Sequence, residues 1–306
     1  MEKTEFIKTK GINISIGLAI YNEQRNIEKC INSILGQTHT DFELIISDDC
    51  SNDKTYEICK KYSQFDNRIK IFKQEKNIGV AENFNFVFKK SCHSYFIWLA
   101  GDDFISADYL EESLKTLIGN ENCVFSSPPH CFKGDELNFD KHFSFSIKGE
   151  LYERAEFFLK NSLNATGCNF AIFKREVLEG VPNMEKKFLG HDWKVLSYAL
   201  SKGNYIRSKK GLLILGKGGL SSSPDFMGKE VRKIIEHFIP LFEFTKFFIK
   251  SFIKNNKITL IKRLILFYLL IKLNLRFIFL KYVNILRLIL KGNSRHPKLG
   301  DAYNKH

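Results

Sequence analysis

Four times in its first hundred residues the chain passes from a short apolar, β-rich run into a polar cluster, and this alternation constrains the fold more than any other feature. Residues 12–20 (INISIGLAI) lead into YNEQ, after which Ile27, Cys30, Ile31, Ile34 and Leu35 fall at helical spacing. The order recurs in FELIIS (42–47), with an Asp/Ser/Asn loop and a helix expected over 53–63, and in IKIF (69–72), with a helix over 80–90. A fourth run, YFIWLA (95–100), leads directly into GDD. Strands alternating with helices of about a dozen residues dictate right-handed βαβ crossovers, hence an α/β fold whose mostly parallel sheet is covered on both faces. Ligands of such sheets bind beyond the carboxyl ends of the strands. There the sequence places Tyr21-Asn22-Glu23, Asp48-Asp49, Asn77 with Gly79, and Asp102-Asp103, so four loops converge on one crevice.

Beyond this core the pattern lapses from 127 to 150, then predicts a helix over 151–162, an apolar segment over 168–173 and a helix from His191 to about Lys202. The run GKGGLSSSP (216–224) reads as a flexible loop. It divides the chain into 1–225, expected to bind donor and acceptor, and a basic helical tail, 226–306.

The net charge of +13 belongs to that tail: after residue 225 there are 17 Lys/Arg against 4 Asp/Glu, while the first three-quarters balances. No helix-turn-helix, zinc or RNA-binding signature accompanies the charge, so nucleic acid is not an expected partner. Lys246, Lys250, Lys254 and Lys257 alternate with Phe242, Phe244, Phe247, Phe248, Phe252 and Ile253, giving one cationic and one aromatic face. The longest uncharged run, Leu264–Ile271, is far short of the ~18 residues a bilayer crossing needs. The tail is expected to lie on an anionic membrane surface, or else to pack on the main domain with a solvated basic face. The start MEKTEFIKTKGIN lacks an apolar h-region, so a cytoplasmic protein, peripheral on the inner face of the inner membrane, is expected. Seven cysteines without a C-x-x-C pair argue against a disulfide framework and a thiolate zinc site.

The chemistry-bearing residues are acids. Adjacent carboxylates after a buried strand, as in GDD (101–103), repel unless a cation compensates them, and Mg²⁺ or Mn²⁺ held by one or two carboxylates and by phosphate oxygens does so. An Asp-rich turn capping a helix that begins near Ser106 would use the same residues. Asp48-Asp49 reads as acceptors for a base or ribose or as part of a helix cap, and Asp192 suits the cap of the helix that follows it.

The segments ISIGLAIYNE (14–23), SILGQT (33–38), FELIISDD (42–49), NIGVAENFN (77–85) and YFIWLAGDD (95–103), in this order and spacing, resemble the family 2 glycosyltransferases of GT-A fold, with the likeness extending over about 12–225. The resemblance implies a Rossmann-like domain that binds a nucleotide-sugar, a UDP-sugar foremost, and inverts the anomeric centre in one displacement. It places Ala19, Tyr21 and Glu23 beside the nucleotide, with Asn77 and Asn83 in the same binding set. It further implies Asp49 at the base, Asp102 at the ribose or metal, Asp103 on the metal, and Asp192 of GHDW as general base. Ala19 stands where many members have Pro, and Gly101 where some have a further acid. No Q-x-x-R-W segment is present, which favours transfer of one sugar over polymerisation. A lipid-linked, lipooligosaccharide or capsule-type bacterial glycan is the expected acceptor. A protein of the same fold that binds nucleotide or glycan without turnover is the alternative.

Overall fold

The computed structural model describes residues 9–134, 145–182, 190–216 and 239–290. The alternation becomes β1 (Ile14–Ile20), α1 (Ile27–Leu35), β2 (Phe42–Asp48), α2 (Thr55–Phe65), β3 (Ile69–Lys73), α3 (Val80–Lys90) and β4 (Tyr95–Ala100). Then follow β5 (Phe104–Ile105), α4 (Tyr109–Ile118), β6 (Cys123–Ser127), β7 (His130–Phe132), α5 (Leu151–Asn161), β8 (Ile172–Lys174), α6 (Arg175–Glu179), α7 (His191–Lys202), β9 (Asn204–Arg207) and β10 (Leu213–Leu215). The central sheet has the order β3-β2-β1-β4-β8-β6-β9. Its first four strands are parallel, β8 runs antiparallel to β4 and β6, and β9 is parallel to β6. The mostly parallel α/β expectation is met.

Strand alternation sorts the side chains between two cores. From β1 and β4, Ile14, Ile16, Leu18, Ile97 and Leu99 face Ile27, Ile31 and Ile34 of α1 and Leu110, Leu114 and Leu117 of α4. From β4, β6 and β8, Phe96, Trp98, Phe125 and Phe173 face the other way, toward α3, α5 and α7. Phe125 and Phe173 stack with ring centroids 4.9 Å apart, and Phe96 meets Trp98 edge-on at 4.8 Å. Gly17 lets α3 sit close to β1, because a Cβ there would lie 2.7 Å from both Phe96 and Val87.

Beside the predicted alternation stands a second, three-stranded sheet, β5-β10-β7, with only β7 drawn from the stretch that lacks a sequence pattern. Its strands of two or three residues are too short to show a period, and they are held by partners distant in the chain: Leu213 pairs with Ile105 and with His130. The helix expected near Ser106 starts at Tyr109.

After residue 239 come α8 (Phe242–Phe248), a π-helical turn (Ile249–Ile253) and α9 (Leu260–Leu290). The aromatic side of the tail faces inward. Phe244, Phe248 and Phe252 are fully buried, and Trp193 of α7 meets Phe244 and Phe277 edge-on at 6.0 and 5.4 Å. The apolar surface of α5 and α7 accounts for this: it needs a cover, and these rings join Phe158 and Trp193 in one core. Apart from Gly216, the expected boundary loop at 216–224 lies outside the described residues. None of the described helices is long and apolar enough to cross a membrane.

Candidate functional site

Chain order reverses between β1 and β4: β2 and β3 extend the sheet on one side of β1, and β4 joins on the other. The crevice above this point is where an open α/β sheet receives a ligand. The loops after β1 and β4 frame it, with Ala19 of β1 paired to Ser47 and Ala100 near the carboxyl rim.

The turn after β4 carries the acids. Asp103 is almost wholly buried; its Oδ1 accepts the Gly216 amide N–H (3.0 Å) and its Oδ2 the Ala100 N–H (3.3 Å). Loss of water, with repulsion from Asp102 and Glu23, pushes its carboxyl up to about 7 against those two donors. Asp102 is half-buried and also shifted upward by lost water, with Lys133 pulling it back. Glu23, after β1, is raised by burial and by Asp102 and Asp53, while the Asn26 amide (3.0 Å) pulls the other way. Two glycines make room for this crowding. A Cβ at Gly101 would lie 2.8 Å from Glu23 Cγ, and one at Gly216 would collide with Asp102 Oδ2. Glu23, from the loop after β1, therefore fills the space beside Gly101. Crowded carboxylates with raised affinity for protons have unmet negative charge, the condition a hard divalent cation relieves.

Lys133, just after β7, escaped sequence reasoning. Its ammonium donates to Asn26 Oδ1 (3.3 Å) and lies 5.5 Å from the Phe104 ring, with Lys29 4.4 Å from the same ring. The irregular composition around 127–150 gave no sign that this lysine reaches the GDD turn.

In the loop after β1, Tyr21 is exposed and Asn22 adopts φ 55°, a conformation Asn tolerates. The Asn22 and Glu23 amides donate to Ser51 and Thr55. Asp49 is buried, and its two oxygens accept the N–H groups of Ile78 (2.6 Å) and Gly79 (2.9 Å), so it holds the loop before α3. Asn77 donates to the Asp49 carbonyl (3.3 Å), and buried Asn83 donates to the Ser47 carbonyl (2.9 Å). Asp48 bonds the Ser51 N–H through Oδ2 while its buried Oδ1 has no partner.

Asp192 occupies the first turn of α7 and accepts the Asn169 amide at 3.2 Å. Asn169 precedes β8, which runs antiparallel to β4, so this pair sits toward the same rim as the GDD turn. Asp192 opens to solvent yet is hemmed in by protein. That withdrawal of water raises its carboxyl, with the Trp193 N–H and Asn169 pulling it down. Trp193 belongs to the core. The structure thus brings Glu23, Asp102 and Asp103 together, and sets Asp49, Asn77 and Asn83 on the adjoining wall.

Several known proteins are similar to this chain. The putative teichuronic acid biosynthesis glycosyltransferase TuaG of Bacillus subtilis is 32% identical over 164 residues, 53% of this chain and 62% of that protein. The glycosyltransferase GlyA of Streptococcus pneumoniae is 30% identical over 139 residues, 45% of this chain and 19% of that protein. The matches thus span less than two thirds of either relative. Among solved structures, S. aureus TarS 1-349 in complex with UDP-GlcNAc superposes with a TM-score of 0.55 at 17% identity, covering 86% of this chain and 82% of that one. The mannosyltransferase PcManGT from Pyrobaculum calidifontis, in complex with GDP-Man and Mn²⁺, superposes with a TM-score of 0.53 at 15% identity, covering 92% and 76%. At these identities the likeness is one of fold. The family model of glycosyl transferase family 2 matches residues 15–181, more than half of the chain and a stretch that includes Glu23, Asp49, Asp102 and Asp103, and the protein is a member of that family.

Proposed function

We propose that this chain is an inverting glycosyltransferase that transfers one sugar from a nucleotide-sugar, a UDP-sugar foremost, to a lipid-linked or capsule-type glycan at the cytoplasmic face of a membrane. The observation that carries this reading is the convergence of Glu23, Asp102 and Asp103 at the sheet's switch point, with Asp103 pushed up to about 7. Asp103 and Asp102 would hold Mn²⁺ or Mg²⁺, and two carboxylates suffice because phosphate oxygens and water complete such a sphere. When bound, the ion neutralises the charge that gathers on the departing diphosphate. PcManGT with Mn²⁺ and TarS with UDP-GlcNAc support the metal and the class of donor.

The chain's own residues do the rest. Asp49 and Asn83 hold the wall against which the base rests, Asn77 closes its edge, and Ala19, Tyr21 and Glu23 border the nucleotide. Asp192 takes the proton of the acceptor hydroxyl as the new bond forms, and Asn169 holds its carboxylate in place. Residues 1–225 form the catalytic unit and 226–306 the membrane-facing one. Support for the latter comes from α9, which has no acidic residue and exposes Leu260, Leu264, Tyr268, Ile271, Leu275 and Tyr282 along one side, with Lys272 and Arg276 beside them. An apolar line flanked by cations is how a helix lies in a lipid interface. TuaG, named for teichuronic acid biosynthesis, supports a glycan acceptor of this kind.

A thermal-shift scan with UDP, GDP, dTDP and CMP, each with Mn²⁺ or EDTA, tests the donor site. One nucleotide should stabilise the protein, and EDTA or Asp103→Asn should abolish the gain. At a hundredfold excess over Kd that gain is about 2.7 kcal/mol. Stabilisation without turnover of any sugar-nucleotide would leave a binding protein of this fold.

A further inference from the structure

The amino ends of the central strands, on the rim opposite the crevice, hold a second cluster of ligand-bearing groups. Glu43 of β2 is 5% exposed although it carries a carboxylate. Cys92 Sγ lies 3.3 Å from Glu43 Oε1, and His93 Nε2 lies 3.9 Å from the same oxygen. Sγ and His93 Nδ1 are 4.0 Å apart. One donor atom from each residue falls within 4.8 Å of the others, and among the described residues no other three His, Cys, Asp or Glu converge in this way.

Two details separate this cluster from a chance encounter of polar groups. The Glu43 oxygens are differentiated: Oε2 is engaged by the Lys70 ammonium at 2.7 Å, while Oε1 faces the thiol and the imidazole. The backbone that presents the donors is also fixed, because the Cys92 N–H bonds Glu43 Oε1 (3.1 Å) and the His93 N–H bonds Ser15 Oγ (3.1 Å). Ser15 in turn donates to Glu43 Oε1 at 2.6 Å. The donors are therefore held near the spacing of a coordination sphere.

We propose that Glu43, Cys92 and His93 form a binding site for a borderline-soft divalent ion of the Zn²⁺ class, separate from the acids at the GDD turn. A thiolate, an imidazole and a carboxylate, with water in the fourth position, are the ligands Zn²⁺ takes in tetrahedral geometry, whereas Mg²⁺ and Mn²⁺ prefer oxygen alone. On binding, the Cys92 S–H bond is replaced by a metal–sulfur bond and its proton leaves to solvent, while His93 coordinates as the neutral ring. Thiolate and carboxylate then balance the ion's charge. Lys70 stays on Oε2 as an outer hydrogen-bond donor that orients the ligand. Absence of a C-x-x-C pair does not exclude such a site, because the fold brings Glu43 of β2 and Cys92, in the loop before β4, together from the two sides of β1.

The test uses the metal-free full chain and Co²⁺ as a spectroscopic probe. Titration should produce a thiolate-to-cobalt charge-transfer band in the near ultraviolet that saturates at one equivalent, releases one proton and is displaced by Zn²⁺. Cys92→Ser and His93→Gln, both on side chains that solvent reaches, should each reduce the binding constant by at least tenfold, and Asp103→Asn should leave the band unchanged. No thiolate band, a band that survives Cys92→Ser, or one that disappears with Asp103→Asn would overturn the proposal. No nucleotide enters the assay, so its outcome is independent of the glycosyltransferase reading.

Discussion

Asp192 and Cys50 show at the residue scale how much a single environment decides. The reading of Asp192 as base requires its carboxylate form, and its surroundings hold that carboxyl above the usual aspartate value of about 3.9. The rate of sugar transfer should therefore rise with pH through a pKa above that value. Asn169→Ala removes a donor that favours the charged form, so it should move the acid limb further upward. A limb that stays in place in a pH–kcat profile would remove Asp192 from the reaction. Cys50 adopts φ 61°, where a Cβ meets the following carbonyl at a cost of roughly 1–2 kcal/mol. Cys50→Gly should relieve that strain less the added chain entropy, raising stability by up to about 1 kcal/mol in urea unfolding. Neither environment is visible in the sequence. Asp192 could be recognised as acidic and Cys50 as a loop residue, but the fall in water around one and the backbone twist of the other arise only from packing.

Elements were legible in proportion to their length and period. β4 spans 95–100, α3 spans 80–90 and α7 spans 191–202, as the apolar spacing predicts, because each buries a face wide enough to impose a period on the sequence. The β5-β10-β7 sheet was not legible, since two- and three-residue strands carry no period and their partners lie about a hundred positions away. The alternation of phenylalanine and lysine after 240 gave an amphipathic helix correctly, but not the direction of its aromatic face, which depends on what α5 and α7 leave uncovered. Of the candidate site, the acids were legible from their positions after strands. The contributions of Lys133 and of Gly216 were not, because both arrive through the short sheet. Gly17→Ala tests the close contact of α3 with β1: a methyl 2.7 Å from Phe96 and Val87 should cost about 1–3 kcal/mol of unfolding free energy. A loss near zero would mean that those side chains shift freely.

The whole molecule divides its tail between two surroundings. Leu266, Leu270, Leu273 and Phe277 of α9 are buried against the domain, while the opposite line from Leu260 to Tyr282 faces outward over a helix about 46 Å long. Full-length protein should sediment with vesicles containing anionic lipid more than with neutral ones, and less as salt rises. Leu264→Asn with Leu275→Asn should reduce that binding severalfold without lowering the melting temperature, both side chains being exposed. Concentration-dependent dimerisation with no vesicle binding would assign the line to a second copy of the chain. The short sheet also sets an order of events. Asp103 receives one of its two hydrogen bonds from Gly216, and β5 gains its partner only when Leu213–Leu215 is in place. During synthesis, therefore, a nascent chain that has emerged through residue 181 already contains the whole family-matched stretch, yet its acidic turn still lacks the strand that closes it. Competence arrives late, with a segment that follows the acidic turn by more than a hundred residues and leaves the ribosome only after the family-matched stretch is complete.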